Sequence, residues 1–206
     1  MALSAGEVRK IKRAATVEGV LPIFHERWSA RAFADRPVSN ADLRRIFEAA
    51  RWAASSNNEQ PWRFVVGKRG TEIHDKIWQT LLGFNHAWAG KAAVLIVGVA
   101  RTLMSHKETP NTYALYDLGA ASSYLTLQAA ALGMTTHQMA GFDKAKAREL
   151  LGIPEEYEFG TTIALGYQDE PHTLPNEELI KRESAPRHRK ELEEIVFGEW
   201  GKPLEL

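Results

Sequence analysis

The chain contains no cysteine. Disulfides, thiolate metal ligands, iron–sulfur clusters and cysteine nucleophiles are excluded together. The absence fits a reducing compartment. An excess of one charge is also missing: 26 lysines and arginines balance 26 aspartates and glutamates. Nothing in that balance asks for nucleic acid or an anionic membrane. The longest apolar run, residues 92–100, is far too short to span a bilayer. The opening Met1-Ala2-Leu3-Ser4-Ala5-Gly6-Glu7 lacks a signal-peptide apolar core. A cytoplasmic protein with no membrane and no nucleic-acid partner is expected. The seven histidines are scattered, without a His-Glu-x-x-His pair or a carboxylate cluster at ligand spacing, so no metal site is expected. No Gly-x-Ser-x-Gly elbow and no glycine-rich phosphate loop is present either, which leaves no dedicated Rossmann site for a nicotinamide.

What is present is a mixed pattern of helices and strands over 206 residues. That length is most simply one domain, 1–206, with a real core. Residues 1–20 read as a helix or arm. Ser39 is placed to cap a helix, with Asp42 at its third position and Leu43, Ile46, Phe47 and Ala50 on one face. Residues 62–67 read as a strand, 71–82 as a helix, and 92–100, apolar on both faces, as a central strand. Residues 112–132 form a long alanine-rich helix, apolar nearly all round, and therefore buried, plausibly against a second subunit. Strand 134–139, a helix from Asp143 to Leu150, and strand 159–167 follow. The tail from about residue 175 is charged, with helical patches. Pattern alone leaves α+β and α/β both open.

Two segments carry chemistry. Arg27, Ser29 and Arg31 alternate, which puts three polar donors on one side of an extended chain. Arginine grips phosphate through planar, charge-assisted hydrogen bonds. The loop Ser55-Ser56-Asn57-Asn58-Glu59-Gln60-Pro61-Trp62 is rich in hydroxyls and amides. It suits a polar or phosphorylated ligand better than proton-transfer chemistry.

Together these segments resemble the FMN-dependent nitroreductase family. Its Arg-x-Ser-x-Arg/Lys-x-Phe motif is matched by Arg27, Ser29, Arg31 and Phe33. Its Pro-Ser-Ser-x-Asn-x-Gln-Pro-Trp-like loop is matched by Ser55, Ser56, Asn58, Gln60, Pro61 and Trp62, with Ala54 in place of the first proline. The resemblance runs from about Pro22 to the C-terminus. It implies an α+β fold, with a mainly antiparallel central sheet wrapped by helices, and an intertwined homodimer with FMN at the interface. Arg27 and Ser29 would hold the FMN phosphate, joined by Arg187 and Arg189 from the tail, with Trp28 between them also among the cofactor-binding residues. Arg31 would lie at the pyrimidine edge of the flavin and tune its potential; the simpler alternative pairs Arg31 with a carboxylate such as Asp35. Ser55, Ser56 and Asn58 would reach the flavin of the other subunit. Met139, Ala140 and Gly141 would pass the ring edge, with Gly141 allowing close approach.

The implied activity is an FMN-dependent NAD(P)H oxidoreductase. NADH or NADPH would donate hydride through flavin N5 in a ping-pong cycle. A small-molecule acceptor, nitroaromatic or quinone, would then be reduced, with no protein side chain acting as catalytic acid or base. The alternatives are a flavin-binding sensor or carrier without turnover, or a relative specialised for flavin cleavage or reductive dehalogenation. A lid for such chemistry would sit at residues 84–88 or 102–113, and Phe84, Trp88 and Phe142 are candidates to line the cleft.

Overall fold

The computed structural model describes residues 2–107 and 109–206. In chain order the elements are α1 (Ala5–Lys12), α2 (Pro22–Glu26), α3 (Asn40–Arg51), β1 (Trp62–Lys68), α4 (Glu72–Thr80), α5 (Gly83–Ala89) and β2 (Val94–Arg101). Next come α6 (Ala114–Ala131), β3 (Thr135–Met139), α7 (Lys144–Leu151), β4 (Tyr157–Gly166) and α8 (Glu177–Ser184). A small hairpin, β5 (Phe197–Glu199) and β6 (Lys202–Pro203), closes the chain.

The main sheet runs β1-β2-β4-β3, and every neighbouring pair is antiparallel. Strand β2 explains why two helical layers are needed. Its residues 94–100 are buried throughout, and the pleat sends successive side chains to opposite faces. Leu95, Val97 and Val99 enter one core with Ile77 of α4 and Trp88 of α5. Val94, Ile96 and Ala100 enter the other with Ile46 of α3 and with Leu118 and Leu125 of α6. Gly160 opens the second face: a Cβ there would stand 2.7 Å from Leu118 Cδ2. The missing side chain is what lets α6 lie close to the sheet.

Helix ends follow their local chemistry. Ser39 Oγ accepts from Asp42 N at 3.0 Å, and Asp143 caps α7 through Lys146 N at 2.9 Å. Gly152 ends α7 in the left-handed region. The N-terminal segment is helical over Ala5–Lys12, closed by a Ser4–Glu7 capping box.

One expectation needs correction. Residues 84–88 lie in helix α5. Trp88 and Phe142 are buried core residues, so neither is free to line an open cleft. Of the three aromatic candidates only Phe84 is exposed, and the Arg182 guanidinium lies 5.0 Å from its ring.

Candidate functional site: an arginine cluster at one sheet edge

The segment carrying Arg27, Ser29 and Arg31 runs beside β3, the edge strand. Thr135 Oγ1 donates to the Trp28 carbonyl, and His137 Nδ1 sits 3.1 Å from the Ala30 carbonyl. Trp28 has its ring packed with Val8 and Ala30, so its main chain is the part left for a ligand. Ser29 is exposed, and its hydroxyl bonds to nothing among the described residues.

Arg27, Arg187 and Arg189 lie close enough to repel one another. Burial lowers the pKa of Arg27, and the Arg189 charge lowers it further. Burial does the same to Arg187, with Arg27 and Arg189 adding to it. No carboxylate pairs with any of the three among the described residues. Arg187 donates through both terminal nitrogens to the His25 and Arg27 carbonyls, which clips the tail onto the segment. Its Nε–H is buried without a partner. Three cations that lack a counter-charge, with an unfilled donor among them, are the complement of an oxyanion such as phosphate.

Arg31 is held differently. Asp35 pairs with Arg69, so that alternative falls away. The partner is Glu183 of α8, fully buried, 3.7 Å from the Arg31 guanidinium. Both Glu183 oxygens accept from Arg31 N, at 2.9 and 3.0 Å, and one also accepts from Ala32 N at 3.1 Å. Acceptance on both oxygens is the pattern of an ionised carboxylate. Burial nonetheless pushes its pKa up, against those bonds and the neighbouring cations. His137, tilted over Trp88 at 4.8 Å, is pushed down to about 4 by burial and then by Arg31.

The hydroxyl-amide loop sits elsewhere. Asn57, Asn58 and Gln60 all have positive φ, at 50°, 56° and 47°, a conformation that costs free energy and persists only where surroundings enforce it. Asp117 of α6, itself buried, accepts from Ser56 N at 3.1 Å, and Ser55 Oγ accepts from Gln60 N at 3.0 Å. The loop feeds β1 at Trp62, opposite Ala100 and hence near Glu158. Thr135, beside Trp28, is paired with Gly166 at the other end of β4. The two motifs therefore occupy diagonal corners of the sheet, separated by three strand spacings, or about 14 Å across the strands alone. One chain keeps them apart.

Ala140 and Gly141 are exposed just past β3. The Gly141 carbonyl accepts from Leu82 N and Asn85 Nδ2, while neither residue's N–H finds a partner among the described residues. Met139 keeps its side chain in the core. Arg9, Lys10, Arg13 and Arg27 border a cleft of about 390 Å³ that Trp28 and Thr135 also line.

Sequence reasoning missed Asp117, Glu183 and Lys12. Asp117 carried a signal, being the only charged residue of α6. Glu183 and Lys12 carried none, since each sits in a run of charges and only the packing buries it.

Comparison with known proteins agrees with this architecture. The Nitroreductase family model matches residues 25–86 and 81–167. A protein of Archaeoglobus fulgidus, provisionally named an NADH dehydrogenase/NAD(P)H nitroreductase, is 32% identical over 155 residues, covering 73% of this chain and 86% of its own. A Thermus thermophilus protein named NADH dehydrogenase is 25% identical over 88% of this chain and 99% of its own. A crystal structure described as an oxidoreductase containing FMN superposes with a TM-score of 0.84 at 33% identity, covering 89% of this chain and 93% of that one. With the antiparallel sheet, the arginine cluster and these matches in agreement, the chain belongs to the nitroreductase family of oxidoreductases.

Proposed function

We propose that this protein binds FMN at the β3 edge and uses it to pass electrons from NADH or NADPH to a small acceptor such as a nitroaromatic or quinone. The observation that carries the reading is the uncompensated Arg27–Arg187–Arg189 cluster with its orphaned Arg187 Nε–H. The residues present fit the cofactor. Arg27, Arg189, the Ser29 hydroxyl and the free Arg187 Nε–H form a donor set for a phosphate dianion. The unpartnered Ala140 and Gly141 N–H groups are donors for ring-edge acceptors. When bound, the flavin supplies the hydride chemistry at N5. The protein supplies anchoring, electrostatics and exclusion of water, and needs no acid–base pair.

The diagonal placement of the loop favours a second copy of the chain as the source of Ser55, Ser56 and Asn58 at each flavin. Tyr113, Leu115, Tyr116 and Tyr124, in or beside the long helix α6, are all exposed. Such an apolar face suits burial in a homodimer.

The test is direct. Purified protein should be yellow, release FMN on denaturation, and run as a dimer by light scattering. Anaerobic stopped-flow mixing with NADH and with NADPH should bleach it rapidly with at least one. A bound flavin inert to both would leave a carrier or sensor. Arg27→Ala should weaken FMN binding by about 2 kcal/mol or more, the scale of charge-assisted bonds lost. Unaltered affinity in that variant would remove the phosphate assignment.

A further inference from the structure

The Arg31–Glu183 pair raises a problem for any cationic role of Arg31. A guanidinium 3.7 Å from a fully buried carboxylate acts at a distance as a dipole more than as a charge. A net positive charge beside Arg31 itself then needs a second cation.

One cation close to the pair lies on the N-terminal helix. Lys12 is only 6% exposed. Its Nζ donates to the Arg182 carbonyl at 3.0 Å, next to Glu183 in the chain, and lies 4.8 Å from the Trp28 ring centre. It forms no ion pair among the described residues. Burying an unpaired ammonium is costly. Burial accordingly lowers its pKa, Glu183 pulls it back up, and the Arg31 and Arg187 charges lower it again. Lys12 therefore shares one electrostatic environment with the Arg-Trp-Ser-Ala-Arg segment.

We propose that Lys12 and Glu183 are positioning residues of the flavin site. Glu183 fixes the main chain and guanidinium of Arg31, and Lys12 adds the cation that makes the Lys12–Glu183–Arg31 group net positive. The N-terminal helix is then part of the redox machinery. The inference rests on the flavin reading above. Its consequence is a bias toward reduced flavin, which carries more negative charge than the oxidised form. The plainer role for Lys12 is to satisfy a last-turn carbonyl of α8 and complement its dipole. That role predicts a change in stability and none in potential.

The experiment is a redox titration of the FMN-loaded protein, unsubstituted and as K12M, K12R and E183Q, alongside the dissociation constant of oxidised FMN. K12M should lower the preference for reduced over oxidised flavin about tenfold, or about 30 mV for a two-electron couple. K12R should restore the potential to near that of the unsubstituted protein. E183Q removes a negative charge and should shift the potential the opposite way to K12M. Equal potentials across the set with FMN bound, or shifts of one sign in K12M and E183Q, would overturn the proposal while leaving the flavin reading intact. Should E183Q fold too poorly to hold FMN, the K12M and K12R pair decides alone. An unsubstituted chain that takes up no FMN would overturn both.

Discussion

His137 gives a test of the site that needs no cofactor. Its imidazole ordinarily titrates at 6.5 and is held at about 4 here, by burial first and by the Arg31 cation second. The sign follows from proton linkage. Below pH 6.5 the unfolded chain protonates this histidine readily, while the folded chain resists until about pH 4. Protons then favour the unfolded state. The contribution is fully present above pH 6.5 and is lost as pH falls toward 4. A 2.5-unit gap at about 1.4 kcal/mol per unit is worth about 3 kcal/mol. Urea unfolding of the apo protein at pH 7, 6, 5 and 4 should show the loss, and His137→Gln should lack it. The difference between the two proteins should be flat above pH 6.5 and should swing by about 3 kcal/mol in the variant's favour by pH 4. Other groups that titrate in the window, Glu183 among them, are common to both proteins and cancel. Titration of the His137 ring proton by NMR reads the same quantity directly, and Arg31→Ala should bring it part of the way back toward 6.5. An NMR value near 6.5, or parallel unfolding profiles, would refute both the burial and the Arg31 proximity.

Two further outcomes test the frame around the site. At Gly67 a Cβ would lie 2.4 Å from His74 N and 2.5 Å from His74 Cα. Both are main-chain atoms of α4, so Gly67→Ala should cost about 3 kcal/mol in urea unfolding, and a loss under 0.5 kcal/mol would show that the α4–β1 contact is loose. Asp117→Asn should weaken the bond that holds Ser56 N, and amide exchange across residues 55–60 should accelerate about tenfold, as expected for about 1.4 kcal/mol of lost protection. Unchanged exchange would mean that the loop holds its left-handed conformation without α6.

The sequence was most informative where local pattern and tertiary packing agree. Strand β2 is apolar at every position from 94 to 100, and a strand covered on both faces needs that. The Ser39 cap and the arginine–serine alternation were equally plain, because each depends on neighbours a few residues away. Helix α5 was hidden because Gly83 opens it in the left-handed region and its seven residues offer no apolar repeat. The Arg31–Glu183 pair was not legible because its partners are 152 positions apart, and the nearby carboxylate offered as the alternative, Asp35, pairs with Arg69 instead. Burial of a single glutamate inside a run of charges is decided by what packs over it. The separation of the two motifs to opposite corners likewise belongs to strand order, which no local signal encodes.

The clasp around Arg27–Arg31 also has a consequence for biosynthesis. Its closures join segments far apart in sequence: Lys12 to Arg182, Arg31 to Glu183 and Arg187 to Arg27, at separations of 170, 152 and 160 residues. Closing loops of that length carries the largest entropic cost in the chain and is slow. A ribosome extruding this protein can complete the four-stranded sheet once Gly166 has emerged, yet the Arg27–Arg31 corner stays open until Glu183 and Arg187 are free. Closure of that corner is therefore a late event, separable in time from formation of the core.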